Sequence, residues 1–171
     1  DFLLQKIRLI FRHRFTQLKL YFLIGLPGET LDDVQGILEL VGRARGVMLE
    51  ETAKTGIIGH IHMGTNILVP KPYTPWQREP MDSERSLKEK ISLLQRGAAK
   101  IPNVSLGSLS IRQALWQTYV SKAGSDAADA LELAARGEPL SAVLRRYSDR
   151  IQPEVFGHLE GDLRWHFLRT A

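Results

Sequence analysis

The sequence predicts an α/β fold: βα units, followed by a mostly helical C-terminal extension. Three observations predict it. A nearly unbroken apolar run at residues 18–24 ends in GLPGET and passes into a helical pattern. A second strand-like run at 58–69 is followed, after a proline-rich loop, by another helical pattern. From Ser110 onward the apolar residues recur only at helical spacing. An order of helix, strand, helix, strand, helix, short strand and further helices is that of βα units with an appended helical part. The boundary is expected near residues 103–110, giving a βα part over 1–104 and an extension over 105–171.

Residues 3–14 are expected to be helical, with Leu3, Ile7, Ile10 and Phe11 on one face. The strand at 18–24 is apolar at successive positions, as expected of a parallel strand buried on both faces. The next helix, 31–48, carries Leu31, Val34, Leu38, Val41 and Met48 as its buried stripe. Thr30 and Asp33 have the spacing of a capping box, and Glu29, Asp32 and Asp33 suit the positive end of the helix dipole. In the second strand Ile61, Met63, Thr65, Ile67 and Val69 alternate with His60, His62, Gly64, Asn66 and Leu68, which places the two sets on opposite faces. PKPYTPWQREP follows, and its prolines predict a stiff, extended loop. A helix at 83–100 has Leu87, Ile91, Leu94 and Ala98 in register, and 104–109 reads as a short strand. Beyond it, Ile111, Leu115, Tyr119 and Val120 form one helical stripe. Residues 127–135 form a second helix closed by Gly137, 140–147 form a third, and the tail from Ile151 is aromatic and irregular.

Apolar residues make up 43% of the 171 and charged residues 25%, an ordinary globular composition with enough chain for a real core. No apolar stretch reaches the roughly 20 residues of a membrane span. The first residues carry charges through their apolar pattern and lack a small-residue cleavage site, so they do not read as a signal peptide. The expected location is cytoplasmic, with no membrane partner. The chain begins at Asp1 and reads as a piece of something longer. The net charge of +4 is spread out. Local clusters at Arg8, Arg12, His13 and Arg14, and at Arg145, Arg146 and Arg150, read as solvated faces rather than a phosphate track. Cysteine is absent, which excludes disulfides, a cysteine nucleophile and any cysteine-ligated zinc or iron–sulfur site within this chain.

GLPGET sits where α/β proteins usually place ligands, at the carboxyl end of a strand. Its glycines let backbone approach a flat or bulky ligand, and its carboxylate can accept from ribose hydroxyls or an amine. It is not a phosphate loop: GxGxxG and Gly-Lys-Ser/Thr are absent, and acidic residues at the helix start repel phosphate. The plain alternative is a tight, well-capped βα turn. VPKPYTPW, residues 69–76, is either a rigid rim over a pocket or a stiff surface connection with Trp76 as a plug. His60 and His62 share a strand face and could bind a metal, but with no third ligand in view they are expected to be polar face residues. Asp149, His158, Glu160 and Asp162 lack nucleophile–base spacing, GxSxG is absent, and Arg164, Trp165 and His166 are expected in a packed or frayed tail. No residue is a catalytic candidate.

LKLYFLIGLPGETLDDV and VPKPYTPWQ together resemble the later half of the radical S-adenosylmethionine barrel, in particular the uncharacterized cobalamin-domain-associated radical SAM proteins (Fe–S oxidoreductases). The likeness covers about residues 5–100, with strand, GLPxET turn, DDV helix and VPKPxTPxQ stretch in the same order. It implies that this chain is a TIM-like piece of a partial (βα) barrel, holding its last strands. It also implies that Gly25, Leu26, Pro27, Gly28 and Glu29 line the S-adenosylmethionine site, with Asn66, Leu68, Val69 and Pro70 running past the adenine. The family holds a [4Fe–4S] cluster through a CxxxCxxC motif, whose ligands would lie outside this chain, and a cobalamin domain can precede the barrel. Gly28 stands where the family pattern has Thr, Tyr73 where it has His, and Trp76 where it has Phe.

The resemblance therefore implies one wall of a cofactor site in a chain that is inactive alone. Its partner would be the remainder of the barrel domain, or a second copy paired through an open sheet edge. The alternative is a non-catalytic βα module that docks a protein or RNA partner, for which steep salt dependence would be diagnostic. A decayed paralogue is a third reading. The substrate is not specified by these residues, because fold does not imply reaction.

Overall fold

The computed structural model describes residues 2–54 and 56–161. The chain divides into two compact units, the first formed by residues up to Asn66 with Arg85–Leu109, the second by Ile67–Glu84 with the chain from Ser110 onward.

The first unit is mixed α/β. It comprises α1 (Phe2–Arg12), β1 (Gln17–Ile24), α2 (Leu31–Thr52), β2 (His60–Ile67), α3 (from Glu84 to Ala98) and β3 (Val104–Leu106). The strands form a small open sheet in the order β1-β2-β3. β2 and β3 are parallel, with Ile61 opposite Val104 and Met63 opposite Leu106. The sheet is not closed into a barrel among the described residues.

Helices bury one face of this sheet. In β2, Ile61, Met63, Thr65 and Ile67 are buried while His60 and Asn66 are exposed, the alternation that the spacing predicts. Leu68 departs from it: the strand ends at Ile67, and Leu68 is buried. β1 also departs from expectation. Of its apolar run Ile24 is buried, but Tyr21 is 69% and Leu23 38% exposed. A continuous apolar strand needs cover on both sides, whereas here Leu18, Leu20 and Phe22 on the opposite face are half-buried.

α2 starts as its sequence dictates. Thr30 Oγ1 accepts from the Asp33 backbone N–H at 3.3 Å, and Asp33 Oδ2 accepts from the Thr30 N–H at 2.8 Å, completing the capping box. The Thr30 N–H, and next the Thr30 hydroxyl at 2.8 Å, both donating to Asp33 Oδ2, hold that carboxyl below its ordinary range. Leu31, at the exposed first turn, is not part of the stripe, which consists of Val34, Leu38, Val41, Ala44, Val47 and Met48 and runs on to Glu51 and Thr52. Ile7 and Phe11 of α1 are buried where it packs on α2, whereas Leu3 stays exposed. Gly59 and Gly97 permit close approach. A Cβ on Gly59 would lie 2.7 Å from Phe11 Cε1 and 2.9 Å from Met48 Sδ, and one on Gly97 would strike Leu38, where α3 crosses α2.

The end of α2 carries a buried carboxylate. Glu51 is 2% exposed and meets Arg8 at 2.8 Å, Lys54 at 3.2 Å and Arg12 at 3.6 Å. Arg8 also pairs with Glu50 at 2.6 Å. The Arg8 hydrogen bond, above all, holds the Glu51 carboxyl below the usual glutamate range. A carboxyl with a lowered folded-state pKa contributes stability that is fully present above its unfolded pKa and is lost as pH falls through the folded one. The chain is therefore expected to lose stability below about pH 4.5. Urea midpoints should fall less steeply with acid in Glu51→Gln, because the substitution removes that titration; an unchanged slope would refute the assignment.

The second unit begins with residues 67–84. The proline-rich stretch is a chain of turns rather than the extended loop its prolines predict. Thr74 N donates to Lys71 O at 3.3 Å and Gln77 N to Thr74 O at 3.1 Å, so Pro72 and Pro75 each occupy the second position of a turn. Tyr73, with φ 60°, fills the third position of the first turn, where positive φ is needed. From Ser110 to Phe156 this unit is mostly helical, as expected: α4 (Ile111–Lys122), a 3-10 turn (Ser125–Ala127), α5 (Ala128–Ala135), α6 (Leu140–Arg146) and α7 (Ser148–Phe156). α4 packs against α6 and α7, and α5 against α6. Val120 lies off the buried stripe of α4, at 37% exposed. Gly137, with φ 89°, follows the C-cap Arg136 and ends α5 in the left-handed conformation. The tail proves helical to Phe156 despite Pro153, because Ile151 and Val155, four apart, are both buried. Arg150 pairs with Asp129 at 3.8 Å and lies over Tyr147. Asp162, Arg164, Trp165 and His166 lie outside the described residues.

Lys122 is fully buried in this unit, its Nζ donating to the backbone carbonyls of Glu79 at 3.1 Å and Gly157 at 3.2 Å. Burial pushes its pKa down, opposed by Glu154 and Glu79. No helix among the described residues is long and apolar enough to cross a membrane.

Candidate functional site

The GLPGET segment leaves the carboxyl end of β1 and enters α2. Leu26 to Glu29 form a tight turn, with Pro27 second, Gly28 third at φ 80°, and Glu29 N donating to Leu26 O at 3.0 Å. This is the pattern of a type II turn, in which proline presets φ at the second position and glycine accepts positive φ at the third. Gly25, with φ 81°, turns the chain out of the strand.

Glu29 folds back to close the segment. Its Oε2 accepts from Gly25 N at 2.7 Å and pairs with Lys90 Nζ of α3 at 2.8 Å. The Glu29 and Lys90 side chains are 6% and 4% exposed, so this is a buried ion pair joining strand end, helix start and a second helix. The carboxylate that the sequence offers to a ligand is thus engaged within the protein at Oε2. Pro27 and Gly28 at the tip of the turn are exposed, as is Thr30, and nothing lies within 4 Å of a Cβ built on Gly28. The site consequently presents backbone, and a ligand can approach it closely.

Gly28→Ala is expected to cost about 1–2 kcal/mol through backbone strain alone, since space is free but φ is positive. Urea denaturation checks this, and a neutral result would show that the turn relaxes.

The structure brings Gly25, Leu26, Pro27, Gly28 and Glu29 together in one segment of the first unit. Asn66 lies exposed near the end of β2 in that same unit. Leu68, Val69 and Pro70 belong to the second unit, with Leu68 and Pro70 buried. Lys90 is the functional residue that the sequence reading missed. It falls three residues after Leu87 and four before Leu94, on the apolar face of α3, and a lysine in that register is the signal for a buried partner.

On the open face of the sheet, His60 and His62 converge on one hydroxyl. Ser105 Oγ of β3 lies 2.8 Å from His60 Nε2 and 3.0 Å from His62 Nδ1. No group of three or more His, Cys, Asp or Glu side chains among the described residues is placed to hold a metal.

The chain is similar to a Methanocaldococcus jannaschii protein named uncharacterized protein MJ0966, at 23% identity over 149 residues. The match covers 87% of this chain, which spans only 30% of that protein's length. No family model matches the chain, and no solved structure does.

Proposed function

We propose that this chain is the later part of a radical S-adenosylmethionine barrel and supplies one wall of the S-adenosylmethionine site. The observation that carries this reading is the GLPGET segment itself: an exposed, backbone-lined turn at the carboxyl end of a strand, pinned from behind by the Glu29–Lys90 pair. Carboxyl ends of parallel strands are the ligand side of βα barrels. The open sheet, with helices on one face and Tyr21 and Leu23 bare on the other, suits a barrel segment.

The fit to the cofactor is through main chain. Pro27 and Gly28 offer backbone to a flat ligand, while Glu29 and Lys90 act behind the turn, fixing its position. The cofactor, bound to a [4Fe–4S] cluster held by the parent protein, would supply reductive radical chemistry. This chain has no cysteine to ligate such a cluster and is inactive alone. Its first partner is the rest of the domain, whose preceding strand would pair with β1, an edge strand of the sheet. A second copy meeting that edge is the other arrangement, and a cobalamin domain upstream and a cytoplasmic location belong to the same reading.

The test uses the longest native chain containing these residues, reconstituted anaerobically with iron and sulfide and reduced. The expected electron paramagnetic resonance spectrum is that of a [4Fe–4S] cluster, shifted by S-adenosylmethionine, with a weaker shift in Gly25→Val and Glu29→Gln. A well-folded full-length chain without a cluster would overturn the proposal and favour a docking module instead.

A further inference from the structure

We propose that His60 and His62 form a two-imidazole site for a borderline divalent transition metal, Cu²⁺, Ni²⁺ or Zn²⁺, on the open face of the sheet. The inference does not rest on the radical-enzyme reading. It starts from register: residues two apart on a strand point to the same side, so the two rings share a face of β2. The parallel register places Ser105 opposite His62. The Ser105 hydroxyl then draws both rings toward one point, at 2.8 Å from His60 Nε2 and 3.0 Å from His62 Nδ1.

A hydroxyl has a single proton and donates to only one of the two rings, so the other ring must donate to it. A metal ion near the hydroxyl would instead take a lone pair from each. An ion bound between the rings would have to displace the Ser105 hydroxyl that now bridges them, and would sit about 2.0–2.1 Å from each nitrogen. Ser105 is the positioning group that turns both rings toward one point. His60 is exposed and His62 half-buried, which leaves a path for the ion and for completing waters.

The surroundings select the class of ion. The outward positions of the strands hold Lys19, Tyr21, Leu23, Gly64, Asn66 and Ser105, and no carboxylate. That set does not suit Mg²⁺ or Ca²⁺, which need oxygen anions, and it suits metals that favour imidazole. Lys19, the cation of this face, has its Nζ over the Tyr21 ring at 4.9 Å from the centroid. Two protein nitrogens leave several positions to water, so the bound ion would remain open to exchange or to a further ligand.

The test is titration of the 171-residue chain with Cu²⁺, read by frozen-solution electron paramagnetic resonance, and with Zn²⁺ by calorimetry. The expected result is one ion per chain with hyperfine coupling to two nitrogens. His60→Asn and His62→Asn should each weaken binding by about tenfold or more, and Ser105→Ala should weaken it while keeping the two-nitrogen spectrum. His13→Ala and His158→Ala should change nothing. Binding that is indifferent to His60 and His62, or a spectrum with one nitrogen, would overturn the site. His60 is on the surface of the strand, so His60→Asn alone decides the question if His62→Asn fails to fold.

Discussion

Lys90→Met is expected to destabilise the first unit by about 3–5 kcal/mol, the penalty for breaking a buried ion pair from one side. Methionine keeps most of the lysine volume, so packing beside Leu87, Ile91 and Leu94 survives and the charge is what changes. Glu29 is then left as a buried carboxylate deprived of its cation, although it still accepts from Gly25 N. Glu29→Gln alone should also be costly, because it takes from the buried Lys90 ammonium the carboxylate that lies 2.8 Å away. The double variant Glu29→Gln/Lys90→Met should recover much of the loss. The glutamine oxygen can still take the Gly25 N–H, and neither charge remains to be desolvated. Urea unfolding of the four proteins forms the cycle. Single-variant losses below about 1 kcal/mol would place this pair with solvated surface bridges and remove its role behind the turn.

The second large effect is expected at Lys122. Lys122→Met deletes the donor to the Glu79 and Gly157 carbonyls, and each buried acceptor left unpaired costs about 1–3 kcal/mol. The loss should be smaller than the sum of both, because the wild type also bears the desolvation of its ammonium, the cause of the lowered pKa. That lowering has a signature in pH. Between the folded-state pKa and the unfolded value near 10.5, the unfolded chain binds the extra proton, so stability attributable to Lys122 rises with pH. A neutral amine keeps enough N–H groups for both carbonyls. The stability gap between wild type and Lys122→Met should therefore widen from pH 7 toward pH 10. A constant gap would show that the ammonium is not desolvated in the folded chain.

The Thr30–Asp33 box, the stripes of α2 and α3 and the two-sided alternation of β2 were legible because each is written in local spacing. Three other features were not. Glu50, Glu51 and Thr52 look like a polar end to α2, yet Glu51 and Thr52 are buried, because three basic side chains converge on the Glu51 carboxylate, two of them from α1. The prolines of residues 70–80 signal stiffness but not direction, and hydrogen bonds from Thr74 and Gln77 turned that stiffness into successive reversals. The exposure of Tyr21 and Leu23 depends on what stands beside the sheet, which no spacing within β1 encodes. At the candidate site the turn was readable from Pro27 and Gly28, whereas the engagement of Glu29 required knowing that α3 brings Lys90 across.

α2 is a single helix connecting two distant fixtures. Its 22 residues extend about 33 Å, from the GLPGET turn to the Glu51 cluster. A rod of that length behaves as a lever: a tilt of about 2° about the Glu51 end displaces the turn by about 1 Å. Misplacement on that scale is enough to matter wherever reacting groups must be aligned. The clasp of Arg8 and Arg12 on Glu51 therefore bears on how sharply the far end is aimed, and substitutions in α1, remote from any ligand, belong among those that could alter it.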